Sequence, residues 1–235
     1  MTWQNILSNI RTILDEATAT RWTNAEVQLE TNNGYQEVVT AVMETFEDYY
    51  LTQATTSLVA DQQEYQLPSD FFKVRRVEVN YDASNSDSIP QRALPVNMDE
   101  VRRDLGNQTI GVSFIRKPGY YLSHDNIGII PVPPEASTNG LKIWYIRYVT
   151  NESSFGATKP DIPYPDRYAK LIVLYGAGQL LRKGQIEETS AARYLAEFEI
   201  GLEKMKRQLE DRTAEESKQV IDISGESVAF DDYLF

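Results

Sequence analysis

His124, the single histidine, sits in Ser123-His124-Asp125-Asn126 and is the first residue to test for chemistry. A hydroxyl, an imidazole and a carboxylate can serve as nucleophile, base and orienting group. They do so as a constellation assembled in space, which neighbours along one turn do not make. The tetrapeptide therefore reads as a hairpin turn with a solvent-facing imidazole. Carboxylates stand side by side at Asp15-Glu16, Glu187-Glu188, Glu215-Glu216 and Asp231-Asp232. General acid–base work needs two carboxyl groups converging in one cleft with separated pKa values, and adjacent helical residues point in different directions. Glu187-Glu188 opens a helix, where negative charge suits the helix dipole.

Gly176-Ala177-Gly178 lacks the GxxxxGK[ST] spacing of a phosphate loop and falls within a helical pattern. Small residues there let another backbone approach, so helix packing is the reading. Neither an EF-hand loop nor HExxH appears, and the chain has no cysteine. No catalytic, cofactor-binding or metal-binding residue is assigned, and no enzyme activity is expected. Arg75-Arg76, Arg102-Arg103 and Arg116-Lys117 are isolated dibasic pairs, suited to surface or subunit contacts. With a net charge of −12, the chain is not built to hold nucleic acid, whose capture needs a positive surface. The N-terminal residues lack a signal-peptide pattern, and no apolar run is long enough to cross a membrane.

The elements that must carry these residues follow from periodicity. Trp3, Ile6, Leu7, Ile10, Ile13, Leu14 and Ala17 mark a first amphipathic helix. Thr23-Asn24-Ala25-Glu26 matches a capping box and opens a second helix reaching about Tyr49. Asn32-Asn33-Gly34 is its weak spot, since glycine costs about 1 kcal/mol against alanine in a helix. From roughly Thr55 the period shortens. Glu64 to Leu67, Phe71 to Tyr81, Gly111 to Arg116, Tyr120 to Ser123, Asn126 to Ile130 and Leu141 to Val149 read as strands. Asp82 to Ile89 is a polar loop, expected to be exposed and mobile. Pro131 to Gly140 is a second loop, and a short helix is expected after Pro95, ending near Leu105-Gly106-Asn107.

Asp161 to Arg212 then reads as a helical hairpin. Asp166 is its expected N-cap, Gly184 its left-handed stop, and Ala191, Leu195, Phe198, Leu202, Met205 and Leu209 its second apolar stripe. The fold class is α+β, with an antiparallel helical bundle from the N- and C-terminal parts. The expected units are 1–54 with 160–212 as bundle, 55–159 as an inserted small antiparallel sheet or barrel, and 213–235 as an extended arm. That arm is acidic and glycine-broken, yet carries Val220, Ile221, Ile223, Val228, Phe230, Tyr233, Leu234 and Phe235. Such groups are rare in a solvated tail and suit a segment that docks on a partner, or else packs back on its own domain. Glu197, Glu203, Lys204, Arg207 and Glu210 lie on the far side of the last helix. They form a solvated face or candidate subunit contacts.

In order and spacing these stretches resemble the head–tail adaptor proteins of tailed bacteriophages. The resemblance covers about residues 1–212. It is carried by Arg21-Trp22-Thr23-Asn24-Ala25-Glu26, Leu67-Pro68-Ser69-Asp70-Phe71, Ile127-Gly128-Ile129-Ile130-Pro131-Val132-Pro133-Pro134, Leu141 to Val149 and Pro160-Asp161-Ile162-Pro163. It implies a structural virion protein at the portal vertex or neck, assembled in the host cytoplasm. Its partners would be the portal protein, neighbouring adaptor subunits in a ring (commonly twelve), and tail or nozzle proteins. DNA would pass through the channel without specific binding. The arm would reach the portal. Two other readings stay open: another neck component, such as a tail terminator or stopper, and a small-molecule binding protein or hydrolase using the β-rich part.

Overall fold

The structure, a computed structural model, describes residues 1–16, 19, 21–82, 89–97, 118–185 and 187–213. The expected short helix, the strand Gly111–Arg116, most of the Asp82–Ile89 loop and residues 214–235 of the arm lie outside the described residues.

Helix α1 runs Trp3–Ile13, with the Thr2 hydroxyl accepting from the Asn5 N–H. It stops before Ala17 because Asp15 takes a left-handed φ of 54°. The Glu16 carboxylate then accepts from the Arg21 N–H at 2.8 Å and the Trp22 N–H at 3.3 Å. One half of the adjacent carboxylate pair is thus a brace for the joint. Helix α2, Asn24–Thr45, starts on the expected capping box: Glu26 N–H donates to Thr23 Oγ1 at 3.2 Å, and Thr23 N–H donates to Glu26 Oε2 at 3.0 Å. It continues unbroken through Gly34, where a Cβ would stand 2.9 Å from Tyr175 Cδ1. The weak spot is a contact point.

A single 3-10 turn, Glu47–Tyr50, leads into β1, Leu51–Leu58, which starts before the change of period read at Thr55. The strands β2 (Glu64–Gln66), β3 (Phe71–Val79), β4 (Gln91–Pro95), β5 (Gly119–Ser123), β6 (Asn126–Ile130) and β7 (Ser137–Arg147) complete a seven-stranded, nearly closed sheet. Its order is β1-β7-β3-β4-β5-β6-β2. β7 begins inside the stretch expected to be loop, and its register pairs Leu51 with Ile146 and Leu141 with Thr56. Pairing is antiparallel except where β4 meets β5 in parallel, Leu94 beside Gly119. That corrects the purely antiparallel expectation. A parallel neighbour requires a crossover of a dozen or more residues, and residues 96–118 are long enough to supply one.

Leu141, Ile143 and Tyr145 alternate from β7 into a core with Leu58, Tyr65, Val77, Ile127 and Ile129. Ile146, on the opposite face, joins Val149 in the helical core. β7 is therefore the wall shared by sheet and bundle. The Tyr145 hydroxyl donates to Asp70 Oδ1 at 2.8 Å. Lys73 and Arg75 on β3 reach Glu47 at 2.9 Å each, and Arg75 reaches Asp48 at 2.6 Å.

Helix α3, Pro165–Gly184, and helix α4, Glu188–Thr213, form the hairpin. Its caps differ from the sequence reading. Tyr164 (φ 51°) precedes Pro165, which takes the first helical position that proline favours. Asp166 stands in the first turn, ion-paired with Lys159 and the N-terminal ammonium. The left-handed residue at the other end is Gln185, with Gly184 still helical. Gly176, Ala177 and Gly178 are buried within α3. Ile10 packs where a side chain on Gly176 would be and Leu195 where one on Gly178 would be, as a packing face requires.

Candidate docking surface

The two helices of the hairpin meet along their inward faces and leave a groove along their outward ones. From α3 it is lined by Arg167, Lys170, Leu171 and Leu174; from α4 by Glu197, Ile200, Gly201, Lys204, Arg207 and Gln208. Each set recurs at steps of three and four, so each is one stripe of a 3.6-residue helix. Because the hairpin is antiparallel, the first half of α3 lies beside the second half of α4. The groove encloses about 530 Å³.

Its floor is apolar and close-packed. Leu171 and Leu174 are buried, whereas Ile200 is 57% exposed. Gly201 sets the depth: a Cβ there would stand 2.4 Å from Leu171 Cδ2, so glycine lets the two helices approach. The Tyr168 hydroxyl closes one side through a hydrogen bond to the side-chain amide oxygen Oε1 of Gln208. The rim is cationic. Arg167, Lys170, Lys204 and Arg207 are all exposed, and none of them is within ion-pairing distance of a carboxylate among the described residues. Glu197 is the one acid of the lining, 3.9 Å from Arg193. In a chain of net charge −12, this is a local reversal of sign. Gathered like charges repel, and an anionic group between them relieves that repulsion.

Of the residues read as subunit contacts, the structure brings Glu197, Lys204 and Arg207 into this groove, while Glu203 and Glu210 are exposed outside its lining. Val220, Ile221, Ile223, Val228, Phe230, Tyr233, Leu234 and Phe235 lie outside the described residues. Sequence reasoning missed Arg167, Lys170, Ile200 and Gly201. The available signal was Ile200, an apolar residue off the Ala191–Leu209 stripe, and it gained meaning only beside α3.

His124 occupies the β5–β6 turn at φ 51°, with its side chain 89% exposed and its Nε2 3.2 Å from Asp125 Oδ2. The two side chains face water together and enclose no cleft. Among the described residues, no group of three His, Asp or Glu side chains is gathered as a metal site would require, and no helix is long and apolar enough to cross a membrane.

A helical bundle fused to a small sheet, with a charged groove between two outward helix faces, is the construction of a protein that presents surfaces to other chains. Residues 1–220 match the family described as SU10 adaptor protein. The chain belongs to this SU10 adaptor protein family, a bacteriophage head–tail adaptor-type family of structural proteins of the virion neck, beside portal or tail proteins. No curated protein matches the chain.

Proposed function

We propose that this protein is the adaptor that binds beneath the portal ring, extends the DNA channel and provides the platform on which the tail docks. The observation that carries this reading is the family match across 1–220. Subunits form a ring, commonly of twelve, through heterologous contacts that close by rotation. The outward face of α4, with Glu197, Glu203, Lys204, Arg207 and Glu210, is the candidate for neighbour contacts. The apolar groups of residues 213–235, from Val220 to Phe235, are the candidates for the portal. The excess of acids suits a channel wall along which DNA slides, since each fixed cation would hold a phosphate.

Electron microscopy of purified portal mixed with this protein tests the proposal. A collar of added density on one face of the portal ring is expected, and it should be lost when residues 214–235 are deleted. A portal that stays bare, with the protein collecting instead on tail tubes, would move the assignment to a terminator or stopper. A truncated chain that still builds the collar would remove the arm from the portal contact.

A further inference from the structure

We infer that, before any partner is met, the groove between α3 and α4 is filled by residues 214–235 of the same chain. Three observations converge on that occupant. The first is charge. Residues 214–235 carry Glu215, Glu216, Asp222, Glu226, Asp231 and Asp232 against the single cation Lys218. The groove carries Arg167, Lys170, Lys204 and Arg207 against the single acid Glu197. Each side supplies what the other lacks.

The second is apolar match. Leu171, Leu174 and the exposed Ile200 form a floor that water covers poorly. Val220, Ile221, Ile223, Val228 and Phe230 are interleaved with the acids of the segment. A strip that alternates apolar groups with carboxylates fits an apolar floor between cationic rims, and a smooth anion would leave that floor bare.

The third is reach. α4 ends at Thr213, five residues beyond the groove residue Gln208, which is about 8 Å of helix. The 22 residues that follow span up to about 75 Å when extended, so the whole groove lies within range. Tethering gives the segment an effective concentration on the order of millimolar. A separate chain of equal intrinsic affinity must be present at comparable concentration to displace it.

One consequence rests on the portal reading above. If the same residues reach the portal, leaving the groove accompanies portal binding. The α4 face carrying Lys204 and Arg207 is then uncovered for a neighbouring subunit only where a portal is present. Ring growth would start on the portal and not in free solution.

Photo-crosslinking of the full-length free protein tests the docking without any portal, so its outcome is independent of the portal assignment. p-Benzoylphenylalanine replaces Ile200, whose exposure tolerates the change, and in a control replaces Ile89, which is 79% exposed. Irradiation from position 200 should give a monomer-sized product whose crosslinked peptides map to residues 214–235. Yield should fall about threefold or more in the Lys204→Glu, Arg207→Glu double variant, given what exposed charge pairs contribute. It should also fall for the parent sequence in 1 M salt, where the screening length is about 3 Å, so the salt arm decides even if the double variant misfolds. Dimer-sized products would assign the groove to a second copy and overturn the inference. So would crosslinks to 214–235 no stronger than from position 89, or a yield indifferent to both charge and salt.

Discussion

Replacing Trp3 by alanine should show how the start of the chain is locked to the segment leading into α3. Trp3 is 2% exposed and meets Tyr35 edge-on at 4.9 Å and Phe155 at 5.6 Å. The backbone N–H groups of Trp3 and Gln4, which a helix start leaves without internal partners, donate to Thr158 O at 2.9 Å and Gly156 O at 3.0 Å. The segment after β7 therefore completes the cap of α1 that Thr2 begins. Those backbone bonds survive the substitution, so the loss is one of packing. Truncating a buried aromatic in this way costs about 3–5 kcal/mol, a large share of the roughly 5–15 kcal/mol that holds a domain together. Urea unfolding followed by far-UV circular dichroism reads it directly. Phe155→Leu completes a double-mutant cycle, and the Trp3–Phe155 pair should show a coupling of about 0.5–1.5 kcal/mol. A Trp3→Ala cost under about 1 kcal/mol, or two effects additive within about 0.3 kcal/mol, would refute the claim that the 150–162 segment packs on α1.

Thr23→Ala removes the hydroxyl that caps the Glu26 N–H while leaving the Thr23 backbone N–H bond to Glu26 in place. It should cost about 1 kcal/mol, a melting-point drop of about 2–4 °C for a protein of this size. Thr23→Ser should restore most of it, and a neutral Thr23→Ala would mean that tertiary contacts alone fix the start of α2. Burial and the hydrogen bond to Asp70 push the Tyr145 phenol up to about 12. A folded-state pKa above the unfolded value of about 10 gives stability that is present below pH 10 and lost as pH rises toward 12. The urea midpoint should therefore fall across that window, and Tyr145→Phe should fall less steeply. Equal slopes in the two proteins would show that Tyr145 is not held as described.

Local chemistry announced much of this protein. The capping box of α2, the apolar stripe Ala191–Leu209 and the alternation Leu141, Ile143, Tyr145 each follow from hydrogen bonding or side-chain period over a few residues, and the folded chain carries all three. Thr-rich β1 was harder to see, because Leu51–Leu58 buries only Leu58 and shows no strong apolar alternation. β4, with only Ala93 buried, was hidden for the same reason.

The sequence by itself therefore determined the α+β class, the helical hairpin, the reading of Gly176-Ala177-Gly178 as a packing face and the head–tail adaptor resemblance. Tertiary structure alone decided the strand order with its parallel β4–β5 join, the burial of β7 on both faces and the cationic groove. The physical reason is separation along the chain. Arg167 and Lys170 reach the groove from one helix, Lys204 and Arg207 from the other. No period links positions so far apart. What links them is Gly201, whose missing side chain lets Leu171 in and so brings two unremarkable charged faces together as one surface.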